Sequence, residues 1–142
     1  MKVLWVEDHP VAGEMLVAAG AAATRKRLAV DLVVAPSLME AERRLRLERF
    51  DLVMLDLRLP DSIDEDTTIT RIANMGDFKL GVVSASEKRQ EMVDFLVKVG
   101  CACAPKAIAK DEIDFHELSK KPDAFFALLQ DVMESAAQTK AA

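Results

Sequence analysis

Hydrophobic positions along the chain alternate between two kinds of run. Short unbroken apolar stretches bounded by turn residues occur at Lys2-Val3-Leu4-Trp5-Val6, at 29–35 (AVDLVVA), at Leu52-Val53-Met54-Leu55, from Phe78 to Val83 and from Cys101 to Ala104. Runs of this length without helical spacing read as strands covered on both faces. Between them lie segments with helical periodicity. Val11 to Arg27 is alanine-rich and follows Pro10, a residue suited to a helix start. Ser37-Leu38-Met39-Glu40 matches a capping box, with Leu38, Ala41 and Leu45 on one face of the helix it opens. A short helix is predicted over 67–75, closed by Gly76. Another spans 87–99, with Met92, Phe95, Leu96 and Val99 inward and Gly100 as its stop. A last helix starts at Pro122, with Phe125, Leu128, Leu129 and Val132 at core spacing. The polar stretch from Ala109 to Lys121 reads as a loop, and residues 138–142 as a tail outside a single domain of 1–137. Five strands alternating with helices predict an α/β fold, a parallel sheet with right-handed crossovers and helices on both faces.

Composition fits this picture. The chain has 142 residues, 51% hydrophobic and 30% charged, enough for one domain with a full core. No apolar run approaches bilayer length and the amino terminus carries no signal-peptide pattern, so a soluble cytoplasmic protein without membrane contact is expected. A net charge of −5 argues against direct nucleic-acid binding, and Arg43, Arg44, Arg46 and Arg49 are read as the solvated face of one helix. Cys101 and Cys103, two residues apart, suit neither a disulfide framework nor a metal site and read as small buried apolar residues.

The strand ends carry the chemistry. The first strand ends in Glu7-Asp8, the third in Asp56, the fourth in Ser84, and the fifth runs into Pro105-Lys106. In open α/β sheets ligands bind outside the carboxyl ends of the strands. Three carboxylates converging there repel one another unless a cation neutralises them. Mg²⁺ suits such a site because it takes few carboxylates and welcomes phosphate oxygens. A carboxylate in that setting can act as a nucleophile toward phosphorus, giving an aspartyl phosphate. The Lys106 ammonium and the Ser84 hydroxyl would then compensate the phosphoryl oxygens.

With these motifs assembled, the chain resembles the receiver domains of two-component response regulators. The resemblance rests on Glu7-Asp8, on Leu55-Asp56-Leu57-Arg58-Leu59-Pro60-Asp61, on Ser84 within Val83-Ser84-Ala85-Ser86, and on Lys106; it covers Met1 to about Ser135. It implies a flavodoxin-like, doubly wound five-stranded sheet of order 2-1-3-4-5. It also implies Asp56 as acceptor of a phosphoryl group from a phosphohistidine on a sensor histidine kinase or a histidine phosphotransfer protein. Lys106 and Ser84 would assist, and Glu7, Asp8, Asp56 and the backbone carbonyl of Arg58 would hold Mg²⁺. Such a domain catalyses only its own phosphorylation and dephosphorylation and is not a turnover enzyme. The wording Glu7-Asp8-His9-Pro10 with Pro105-Lys106 is similar to the branch often fused to a LuxR-type helix-turn-helix.

Departures from the family pattern are specific. Cys103 stands where most receivers carry Tyr or Phe, three residues before the lysine; the segment from Gly100 to Lys106 is one residue tight; and Ala107 follows the lysine where proline is common. The stretch from Lys106 to the last helix is long for the family. The acidic residues Asp61, Asp64, Glu65 and Asp66 read as a solvated loop rather than as further metal ligands. Phosphorylation is expected to switch partner binding or homodimerisation through the helix at 87–99, the Ala107–Lys121 segment and the last helix, where Phe126 and Met133 form a second apolar face or else pack under the long loop. A phosphorylation-independent interaction module is the alternative. A haloacid-dehalogenase-type phosphatase is the third reading, opposed by Arg58 where that family needs an acid.

Overall fold

The computed structural model describes residues 1–56, 59, 61, 64–84, 90, 91, 94 and 106–141. Five parallel strands, β1 (Lys2–Val6), β2 (Asp31–Ala35), β3 (Leu52–Asp56), β4 (Lys79–Ser84) and β5 (Lys106–Ala109), form one sheet in the order β2-β1-β3-β4-β5. The helices are α1 (Pro10–Arg25), α2 (Leu38–Leu47), α3 (Glu65–Ala73), α4 (Phe115–Lys120) and α5 (Pro122–Ala141), with a 3₁₀ turn at Lys110–Glu112. This is the predicted doubly wound α/β architecture.

Strand alternation divides the core in two. Leu4, Val6, Val53, Leu55, Leu80 and Val82 face α2 and α3, meeting Leu38, Ala41, Ile69 and Ile72. Val3, Trp5, Leu52, Met54 and Val83 face the other way, against Leu16, Ala19 and Ala23 of α1 and Phe125, Leu129 and Val132 of α5. The continuous apolar runs read at Lys2–Val6 and Leu52–Leu55 are the strands β1 and β3, buried from both faces. Where α5 crosses β4 the approach is close: a Cβ on Gly81 would lie 2.7 Å from Met54 Sδ and 2.9 Å from Val132 Cγ1. That crossing admits only glycine without repacking.

Helix ends follow their local chemistry. Pro10 is the first residue of α1, and Ser37 Oγ accepts from Glu40 N at 3.1 Å at the start of α2. Arg43, Arg44 and Arg46 do form a solvated face of α2, in ion pairs Arg43–Glu40, Arg44–Glu40, Arg44–Glu48 and Arg46–Glu42, whereas Arg49 lies beyond the end of the helix and is not on that face. The short third helix begins at Glu65, two residues earlier than its periodicity predicts, because Asp64 caps it: its carboxylate accepts from Thr67 N at 2.6 Å.

Two expectations require correction. The fifth strand of the sheet is Lys106–Ala109, in register with Gly81–Ser84; residues 101–105, including both cysteines, lie outside the described residues. The stretch from Ala109 to Lys121 is not a loop: it ends β5, makes the 3₁₀ turn and forms α4, capped by Asp114. Of the two readings of Phe126 and Met133, packing under the segment after β5 holds: both are half-buried and pack against the α1–α5 core together with Ile113, Phe115 and Leu118. Of the helix predicted over 87–99, Gln90, Glu91 and Asp94 are described and helical; the rest lies outside the described residues. Among the described residues no helix is long and apolar enough to cross a membrane.

Candidate functional site

All five strands point the same way, so their carboxyl ends share one edge of the sheet. Glu7 follows β1 and extends its ladder by one bond, its N–H donating to Ala35 O at 2.9 Å. Asp56 is the last residue of β3, and Val83, its partner in register, precedes Ser84 at the end of β4. Ser84 is in turn in register with Ala109, which precedes Lys110. Parallel register thus brings residues from four sequence-distant positions to one place.

Glu7, Asp8 and Asp56 each offer a carboxylate oxygen within 4.8 Å of the others. Glu7 and Asp56 are almost fully buried, and Asp8 is the most solvent-facing of the three. The Lys110 ammonium bridges the two buried acids, 2.7 Å from Glu7 Oε1 and 2.8 Å from Asp56 Oδ2. Burial lifts the Glu7 carboxyl above its ordinary range against the pull of the Lys110 ammonium, and the neighbouring Asp56 carboxylate adds to the lift. Desolvation acts to lower the Lys110 ammonium, but its hydrogen bonds and charge contacts with Asp56 and Glu7 outweigh it and hold it above its ordinary value.

Lys106 is not part of this cluster. It opens β5 opposite Gly81, three residues and about 10 Å of strand before the carboxyl edge. Its ammonium pairs with Asp131 of α5 and reaches Ser135 Oγ at 3.3 Å. The lysine at the site is Lys110. With that shift the tight segment before the lysine disappears, the residue three positions before it is Ala107 instead of Cys103, and Asp111 follows it. Ala107-Ile108-Ala109 followed at once by lysine was the sequence signal for it: a short apolar run ending in a cation, like the acid-terminated runs of β1 and β3. Arg58 lies outside the described residues.

A divalent cation fits the cluster on two grounds. Among the described residues three carboxylates face one ammonium, a surplus of negative charge, and Glu7 Oε2 is buried without a hydrogen-bond partner. An all-oxygen donor set of this kind selects a hard cation such as Mg²⁺. Glu7, Asp8 and Asp56 are the residues that would hold it.

Two acids of the stretch after β3 act on helices. Asp61 Oδ1 and Oδ2 accept from Leu38 N and Met39 N, each at 2.8 Å, so a residue of the β3–α3 connection caps α2 from outside that helix. Asp64 caps α3 as described above. The expected solvated acidic loop is therefore a pair of helix caps, with Glu65 and Asp66 inside α3.

No family model matches the chain, and no curated protein matches it. Solved structures do. The non-phosphorylated HemR receiver domain from Leptospira biflexa is similar at 27% identity and TM-score 0.64, over 93% of each chain. A CheY-like response regulator receiver domain protein from Methanospirillum hungatei gives 18% identity and TM-score 0.61, over 92% of this chain and 96% of that one. The response regulator TrrA from Thermotoga maritima, in complex with Mg²⁺-BeF, gives 21% and 0.59, over 87% and 96%. The chain has the fold of response-regulator receiver domains, flavodoxin-like with strand order 2-1-3-4-5.

Proposed function

We propose that this chain is the phosphoacceptor receiver of a two-component or phosphorelay system, phosphorylated on Asp56 with Mg²⁺ as cofactor. The observation that carries the reading is the buried pair Glu7 and Asp56 bridged by Lys110, with Asp8 beside them at the mouth of the site. The partner supplying the group is a phosphohistidine on a sensor kinase or phosphotransfer protein, a cytoplasmic encounter. The likeness to a receiver solved with Mg²⁺-BeF supports the same chemistry here.

In the reaction, an Asp56 oxygen attacks phosphorus, an O–P bond forms, and the P–N bond to the imidazole breaks. Its electron pair returns to the imidazole nitrogen, which takes up a proton. Mg²⁺, when bound, supplies positive charge to the phosphoryl oxygens and screens the three carboxylates from one another. Lys110 begins as counter-ion to Asp56 and Glu7; its ammonium is placed to follow the negative charge onto the phosphoryl group. Ser84, at the adjacent strand end, is a hydrogen-bond donor by resemblance, and the Arg58 carbonyl a further metal ligand. The domain turns over no external substrate. Its output is a change in partner binding or self-association.

Incubation with acetyl phosphate and Mg²⁺ tests the assignment. Wild-type protein and Lys106→Ala are expected to take up one phosphoryl group and Asp56→Asn none. Lys110→Ala is expected to lose the conformational response to beryllofluoride. Label retained in Asp56→Asn, or a response lost in Lys106→Ala and kept in Lys110→Ala, refutes it.

A further inference from the structure

We infer that Asp61 is a positioning residue that straps the phosphoacceptor loop to the amino terminus of α2, a role that rests on the reading of Asp56 above. Helix α2 opens with Ser37 as its cap, and its first free amides are those of Leu38, Met39 and Glu40. Such amides have no partner inside the helix. Ser37 Oγ takes the Glu40 N–H at 3.1 Å, and the Asp61 carboxylate takes the Leu38 and Met39 N–H groups with one oxygen each, both at 2.8 Å. The helix therefore relies on a carboxylate contributed from 22 and 23 residues away. A carboxylate at this end also meets the positive pole of the helix. Burial works to raise the Asp61 carboxyl, yet these amides, with Arg71 behind them, hold it below its ordinary range.

The consequence for the site comes from chain connectivity. Asp61 lies five residues beyond Asp56, and the segment between them carries the Arg58 carbonyl. That segment is fixed at three described points: Asp56 at the end of β3, Leu59 buried against the α2–α3 core, and Asp61 on α2. Beyond it, Asp64 is tied to α3. Removing Asp61 takes away the two hydrogen bonds that tie this segment, and with it the carbonyl that would complete the metal site, to the start of α2. Ser37 caps the same helix through the Glu40 amide, a bond that Asp61 takes no part in, so it separates loop positioning from helix stability.

Three variants decide the matter: Asp61→Ala, Asp61→Asn and Ser37→Ala, each compared with wild type by amide hydrogen exchange of the metal-free protein and by Mg²⁺ titration. Asp61→Ala is expected to speed exchange over 57–63 and to weaken Mg²⁺ about ten-fold, the scale of lost outer-shell support at metal sites. Asp61→Asn, whose amide oxygen can still accept one N–H, is expected to fall between. Ser37→Ala is expected to lower stability while leaving both readouts at wild-type values. Unchanged exchange over 57–63 in Asp61→Ala, or equal effects in Ser37→Ala, overturns the strap. Wild-type protein that binds no Mg²⁺ overturns the proposed function instead, and the exchange comparison still judges the strap.

Discussion

Lys106 and Lys110 stand four residues apart on the same short strand and its exit, and their surroundings differ completely. Lys106, still inside the strand, is held by Asp131 and Ser135 of α5, while Lys110, just past the edge, reaches Glu7 and Asp56. A lysine is a flexible point charge, so its role follows from where its backbone is set. The Pro-Lys pairing at 105–106 imitates the family motif, and composition alone cannot separate the two lysines. At the same scale, Arg27 holds φ 61° at the close of α1, where Leu28 N donates to Ala23 O and Arg27 N to Thr24 O, both at 3.0 Å. That is a Schellman ending with a residue other than glycine at its left-handed position. Arg27→Gly is expected to stabilise the protein by about 0.5–1 kcal/mol, since the left-handed penalty of a side chain exceeds glycine's entropic cost. Urea unfolding midpoints check it; a lower midpoint in the glycine variant contradicts it.

At the scale of elements, caps decide where helices begin. The periodicity of 67–75 marks α3, but its start belongs to Asp64, whose carboxyl is held below its ordinary value by the backbone and side chain of Thr67. A carboxyl with a lowered folded pKa adds stability that is complete above its unfolded value of about 3.8 and is lost as pH falls through the folded value. Asp64→Asn is therefore expected to flatten the loss of melting temperature below pH 4, measured by thermal unfolding between pH 7 and 2. An unaltered acid limb counts against the cap. Helix α4 gives a second prediction. Its first residue, Phe115, meets fully buried Trp5 edge-on with ring centroids 6.0 Å apart, five residues after Lys110. Beryllofluoride with Mg²⁺ is expected to change Trp5 emission through this contact, and Phe115→Leu to blunt the change. An equal change in that variant routes the signal elsewhere.

For the whole molecule, the central quantity is how a site of like charges is tolerated at the edge of a dense core. Glu7 and Asp56 are buried, and their one described cation is Lys110. A cation that binds only the folded state stabilises it by mass action, about 2.7 kcal/mol at a hundredfold excess over Kd. Mg²⁺ is expected to raise the melting temperature of the wild type in a saturable way and to lose most of that effect in Asp8→Asn, read by calorimetry. An Mg²⁺-independent melting temperature opposes the metal assignment. Output belongs to this scale too. A response that reaches partners is expected to pass through the 3₁₀ turn and α4, which follow Lys110 directly in the chain.

Local patterns determined the layers. Apolar runs of strand length, helical periodicity and caps near the chain they serve, such as Ser37 and Pro10, depend on neighbouring residues and are legible from order alone. They fixed the alternation of strands and helices and the sheet edge where the acids Glu7, Asp8 and Asp56 meet. Tertiary structure alone decided what depends on register and on contacts between distant segments. Sliding the fifth strand to 106–109 replaced one lysine by another, because a parallel ladder sets which residue reaches the edge. Asp61 became a cap for α2 across 22 residues, and a polar stretch became α4 because Ile113, Phe115 and Leu118 found apolar partners on α1 and α5. Helix propensity in a six-residue segment is too small to form a helix by itself; packing supplies the rest.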